Sequence, residues 1–180
     1  MAGIEVIEQW TVRLAEVAVP DEVDLAPAIA DAYIQGGPAR EALYAPSDDI
    51  SGAFGPIDMV LIMPRVLKGI YTAGRWILPL LASKELGNVL SAVKDAIALK
   101  SATQKRTSPT LPPSTPAKTL PTTPPYDALK KTIDIINHEL KGAGLSNDHA
   151  DLITFRIIDA LLADPQGGTE FINYLYGDDV

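Results

Sequence analysis

The stretch Pro56–Leu81, PIDMVLIMPRVLKGIYTAGRWILPLL, decides what kind of fold the chain has, because it reads either as a membrane span or as a core helix. A spanning helix needs about 20 predominantly apolar residues in a row. Asp58, Arg65, Lys68 and Arg75 break this run, and Pro64 and Pro79 would each remove a hydrogen bond from a continuous helix. The segment therefore reads as an amphipathic helix within an all-α fold. Arg65, Lys68, Thr72 and Arg75 recur at intervals of three, four and three, which lines them up as a basic stripe beside an apolar face, with Trp76 near its edge. A helix lying in a membrane interface has the same geometry, so Arg65, Lys68, Arg75 and Trp76 are candidate contacts for an anionic membrane surface.

On the N-terminal side, Ile7, Trp10, Leu14 and Val17 give one apolar helix face, stopped by Pro20, and Trp10 is expected to face a core. Asp24 is a candidate cap for a second helix with Pro27 in its first turn, an apolar set of Leu25, Ile29 and Tyr33, and a stop at Gly36-Gly37. Pro38 can open a short third helix, and Ser47 to Gly55 reads as a loop. On the other side of the apolar run, Ser83 can cap a helix over residues 84–100, whose apolar face is Leu86, Val89, Leu90, Val93 and Ile97.

Residues 101–125, SATQKRTSPTLPPSTPAKTLPTTPP, hold seven of the fifteen prolines and no acid. With two leucines as its sizeable apolar side chains, this segment cannot bury enough surface to offset its ordering entropy, and it reads as a disordered linker. The expected organisation is a helical N-terminal bundle over 1–100, the proline- and threonine-rich linker over 101–125, and a small module of two to three helices over 126–180. In that module Leu129, Ile133, Ile136 and Leu140 form a narrow seam ended by Gly142. Ser146 can cap a helix over 147–163, and Thr169 can cap a final short one beyond the Asp164-Pro165 and Gly167-Gly168 breaks. The helix over 147–163 has an apolar set covering well over half its circumference, more than one short neighbour hides. Leu152, Phe155, Ile158 and Leu162 are therefore the expected partner-binding residues.

The net charge of −8 is distributed unevenly. Residues 1–49 carry ten acids and two bases, residues 50–106 carry three acids and eight bases, and residues 126–180 carry ten acids and four bases. Such blocks attract each other or oppositely charged partners. The acidic balance argues against a nucleic-acid binder of the electrostatic kind. His138 and His149 lack partners at metal-ligand spacing, there is no cysteine, and the glycine pairs lack the lysine of a phosphate loop. No catalytic residue, metal, cofactor or small-molecule substrate is assigned. Met1–Ile4 has no basic start of an export signal, which favours a cytoplasmic location, with peripheral membrane contact as the variant.

Two functions follow as expectations. The first is a non-catalytic adaptor whose C-terminal module, 126–180, binds a protein partner or a second copy of itself. The second is a membrane-associated protein acting through residues 56–81.

Overall fold

The computed structural model describes residues 2–44, 61–83, 91 and 124–177, and these are helical throughout apart from short connections. The helices are α1 (Ala2–Ala18), α2 (Ala26–Gln35), α3 (Gly37–Ala42), α4 (Met63–Leu81), α5 (Pro124–Gly142), α6 (Asn147–Ala163) and α7 (Pro165–Tyr176), with a 3₁₀ turn over Pro20–Leu25. The all-α class holds, and no strand occurs among the described residues. Most of the linker and the expected helix over 84–100 lie outside the described residues, as do the loop 47–55 and the start of the apolar run at 56–60.

Helix α4 is the hub. It packs against α5 and α7 from beyond the linker, and against α1 and α2 from before it. Its face of Met63, Val66, Leu67, Ile70, Ala73, Ile77, Leu80 and Leu81 is buried, and the buried apolar residues of both halves join one continuous cluster. Burial of this order, about 25 cal/mol per Å² of apolar surface, is what holds the helices. No helix among the described residues is long and apolar enough to cross a membrane.

Pro64 does not break α4, contrary to the sequence reading. The helix starts at Met63, so Pro64 sits in its first turn, where a missing N–H costs nothing. The first N–H groups of such a helix need acceptors, and Glu22 supplies them. Its buried carboxylate accepts from the backbone N–H of Ile62 at 2.7 Å and of Met63 at 2.8 Å. Pro79 lies inside the last turn of α4.

Other local signals moved by a few residues. Asp24 does not cap α2, because the 3₁₀ turn runs straight into that helix and leaves no extended residue to act as a cap. Leu25 consequently belongs to the turn and is exposed, while Ile29 and Tyr33 are buried as expected. Trp10 is buried and its ring stacks on Phe171 of α7 at 5.5 Å. Gly36 and Gly37 end α2 with φ of 66° and 49°, which glycine adopts without a Cβ penalty. After α5 the left-handed residue is Gly144, not Gly142, which remains helical. Ser146 caps α6 as expected, its Oγ accepting from the N–H of His149.

The last helix begins earlier than its glycines suggest. Asp164, not Thr169, is its cap: Oδ1 accepts from the N–H of Gly167 at 3.0 Å. Gly167 and Gly168 lie within the helix. A Cβ on Gly168 would press on the backbone oxygen of Leu161 and on Leu81, so the residue permits close packing.

Candidate interaction surfaces

The expected partner-binding residues of α6 turn inward. Phe155, Ile158 and Leu162 are buried and Leu152 is half-buried. Helix α6 packs against α5 and α7, and also against α1 from the other side of the linker. That last neighbour explains the width of its apolar face. The chain covers this surface itself, so it is not an open site, and its breadth does not call for a partner.

The basic stripe of α4 divides in two. Its first half is tied into the fold. The Lys68 Nζ lies 3.0 Å from Oε2 of Glu139 on α5, and the Arg65 guanidinium lies 3.9 Å from the same atom. Both cations also stand over the ring of Tyr44, at 5.0 Å for Arg65 and 5.8 Å for Lys68. The Tyr44 hydroxyl donates to the backbone oxygen of Pro64 at 3.2 Å. Burial pushes the Tyr44 phenol up from its ordinary pKa, although the cations of Arg40 and Arg65 pull the other way.

The second half faces outward. Thr72 and Arg75 are exposed, and Trp76 is half-buried with Arg75 at 5.3 Å and Lys131 of α5 at 3.9 Å from its ring. A tryptophan between two cations presents an apolar body and a positive rim. Lys131 adds a contact that the sequence pattern of α4 does not show.

The remaining polar candidates serve the fold. His138 is exposed, and the ring of His149 lies 3.2 Å from the capping hydroxyl of Ser146. Asp151 accepts from Asn137, whose side-chain oxygen in turn accepts from the buried hydroxyl of Thr154 at 2.6 Å. Among the described residues there is no cluster of three or more His, Asp or Glu side chains that could hold a metal ion.

Another surface lies on the N-terminal helices, and it corrects the sequence reading of Val17, which is exposed near the end of α1 while Ile7, Trp10 and Leu14 of the same expected face are buried. Ile4, Val17 and Leu25 are the large hydrophobic residues left exposed among those described, at 49%, 38% and 42%. On the same elements Glu5, Glu8, Glu16, Asp21, Asp24 and Asp31 are exposed, and none makes an ion pair with a described residue. The two bases of this region are already engaged. Arg13 pairs with Asp164 at 3.1 Å and lies over Trp10, and Arg40 lies over Tyr33 and donates to its backbone oxygen. The ten-to-two charge count of the first 49 residues is the signal that points here.

Among the described residues the surface carries clefts of two kinds. One, of about 310 Å³, lies between α1 and α2 and is lined by Ile4, Glu8, Pro27, Ala28, Asp31 and Ile34. The other, of about 770 Å³, runs along α7 beside Leu81 and is lined by a mixed set including Gln166, Thr169, Glu170 and Asn173. No protein-family model, curated protein or solved structure matches this chain.

Proposed function

We propose that this chain is a non-catalytic adaptor, a helical body that engages a protein partner through the acidic face of its N-terminal helices. The observation that supports this reading is that Ile4, Val17 and Leu25 are exposed on elements whose carboxylates Glu5, Glu8, Glu16, Asp21, Asp24 and Asp31 form no ion pair with a described residue. Exposed apolar side chains beside an excess of carboxylates favour association with a complementary surface, although Arg156 of α6 reaches the backbone oxygen of Val17 at 3.4 Å. The C-terminal helices then act as a clamp. They spend their own apolar faces on α1 and α4, and hold the N-terminal helices in place.

A photoreactive side chain placed in the full chain at Ile4, Val17 or Leu25 tests the reading, with Asp134 and Glu170 as exposed control positions on other helices. Cross-linking in the producing cells to the same protein from the N-terminal positions, but not from the controls, is the expected result. Uniform labelling from all positions, or none from any, overturns it. Labelling of a second copy of the chain identifies self-association as the form of partnership, and sedimentation equilibrium of the purified chain gives its stoichiometry.

Peripheral membrane contact is a second reading, favoured by Trp76 between Arg75 and Lys131. The apolar face of α4 is buried in the core, so this contact would involve the exposed rim and not insertion of the helix. Flotation of the full chain with phosphatidylserine vesicles at low salt, lost in Arg75→Gln/Lys131→Gln, is the expected behaviour. Failure to float at low salt ends this reading.

A further inference from the structure

We propose that the cleft between α1 and α2 receives an arginine side chain carried on an apolar segment of a protein partner; this rests on the adaptor reading and names the chemistry of the contact. The cleft combines two features that one arginine satisfies together. Ile4, Pro27, Ala28 and Ile34 supply an apolar lining for its methylene stem, and the carboxylates of Glu8 and Asp31 belong to the same lining for its guanidinium. A guanidinium offers five N–H donors in a planar fork, so it can serve carboxylates contributed by two helices, whereas an ammonium is a compact point charge. At about 310 Å³ the cleft accepts a long side chain but not a folded element.

Asp31 is oriented by the side-chain amide of Gln35, which donates to its Oδ2 at 3.0 Å, and this bond leaves its negative charge uncompensated. Neither Glu8 nor Asp31 forms an ion pair with a described residue. Arg13 and Arg40, the cations of the first 49 residues, are held elsewhere by Asp164, Trp10 and Tyr33. Among the described residues no cation is paired with the two carboxylates of the cleft, and Ile4 in its lining offers the apolar contact that keeps the occupant from being a free ion. An arginine flanked by leucines meets both requirements, and a polyanion or an acidic peptide meets neither.

The test uses the labelled full chain, with amide shifts followed by NMR during titration with a blocked Leu-Leu-Arg-Leu-Leu peptide. A second peptide carries citrulline, which keeps the shape of arginine and removes its charge. Shifts are expected at Ile4, Glu8, Asp31 and Ile34, and affinity is expected to fall about tenfold or more for the citrulline peptide and for Glu8→Gln/Asp31→Asn. The control variant Asp134→Asn/Glu170→Gln keeps the wild-type affinity. All four substitutions are on exposed residues, and unchanged thermal unfolding verifies that the fold is intact. No binding, equal binding of the citrulline peptide, or an equal loss in the control variant overturns the proposal. The two readings fail separately. A partner that still cross-links from Val17 and Leu25 in Glu8→Gln/Asp31→Asn with undiminished affinity defeats the cleft and leaves the adaptor standing, and absence of any position-specific partner defeats the adaptor.

Discussion

The carboxylate of Glu22 accepts a hydrogen bond of 2.8 Å from the backbone N–H of Met63, 41 residues further along the chain. With the companion bond from Ile62 it closes the open end of α4 from outside the helix. Replacing the carboxylate by a methyl group leaves these N–H groups without their acceptors in a largely buried place. Glu22→Ala is therefore expected to lower unfolding stability by about 2–3 kcal/mol, and Glu22→Gln, which keeps one acceptor oxygen, by about 1–2 kcal/mol. Urea denaturation of both variants gives these values. Equal stability of Glu22→Ala and wild type would show that the cap is not holding α4.

The same residue gives stability a pH dependence. Burial raises the Glu22 pKa above its ordinary value of 4.5, the hydrogen bonds from Ile62 and Met63 work against that rise, and Asp21 adds to it. A carboxyl group whose folded pKa is raised binds more protons in the folded state than in the unfolded one. Its contribution to stability is therefore fully present below the unfolded value and is lost as pH rises through the folded value. The stability of wild type relative to Glu22→Gln is expected to be greatest below pH 4.5 and to shrink as the pH rises through the raised value. Parallel urea titrations across that window measure it, and a difference that widens with pH would reverse the sign of the argument.

Glu139 stands where the two charge blocks meet, 14% exposed, with Lys68 at 3.0 Å and Arg65 at 3.9 Å. The partial burial reduces screening, while the exposure of Lys68, 43%, limits what the pair contributes. A double-mutant cycle of Lys68→Met and Glu139→Gln is expected to give a coupling of about 0.5–1 kcal/mol that declines with added salt. The single change Glu139→Gln is expected to cost more than the coupling, because it leaves Arg65 and Lys68 together over Tyr44 with no facing carboxylate. A coupling that is independent of salt would point to packing of the Lys68 stem in place of charge.

The distance over which each interaction acts decides how much of this was legible in the sequence. Helix identity follows from spacing of three and four, and Trp10, Ile29, Tyr33, Ile136 and Leu140 are buried as that spacing predicts, while Val17, at the same spacing near the end of α1, is exposed. Caps within one or two residues of a helix, such as Ser146, were equally readable. Glu22 was not, because its partners are 40 and 41 residues away and nothing local marks it. The face of Phe155, Ile158 and Leu162 is too wide for one short neighbour, and the structure covers it with three helices. What periodicity could not supply was the identity of the cover, since α1 reaches α6 from the far end of the chain. The basic stripe was likewise real as a pattern, but Glu139 and Lys131, which divide it into a tied half and an exposed half, lie on another helix.

Gly69 carries the argument about how the two halves join. A Cβ on this residue of α4 would lie 3.3 Å from the Cα of Ile136 on α5, so the absent side chain is what lets these backbones approach. Gly69→Ala gains about 1 kcal/mol of helix propensity and loses a similar amount in crowding, which makes it close to neutral. Gly69→Val adds bulk without that gain and is expected to cost about 2–3 kcal/mol. Because the α4–α5 contact ties residues before the linker to residues after it, the penalty should be felt on both sides. Amide hydrogen exchange of Gly69→Val is expected to accelerate in α4 and in α5 together, and thermal unfolding is expected to stay a single transition at a lower temperature. Acceleration confined to α5, or a second transition, would mean that the C-terminal helices separate from the body as an independent unit.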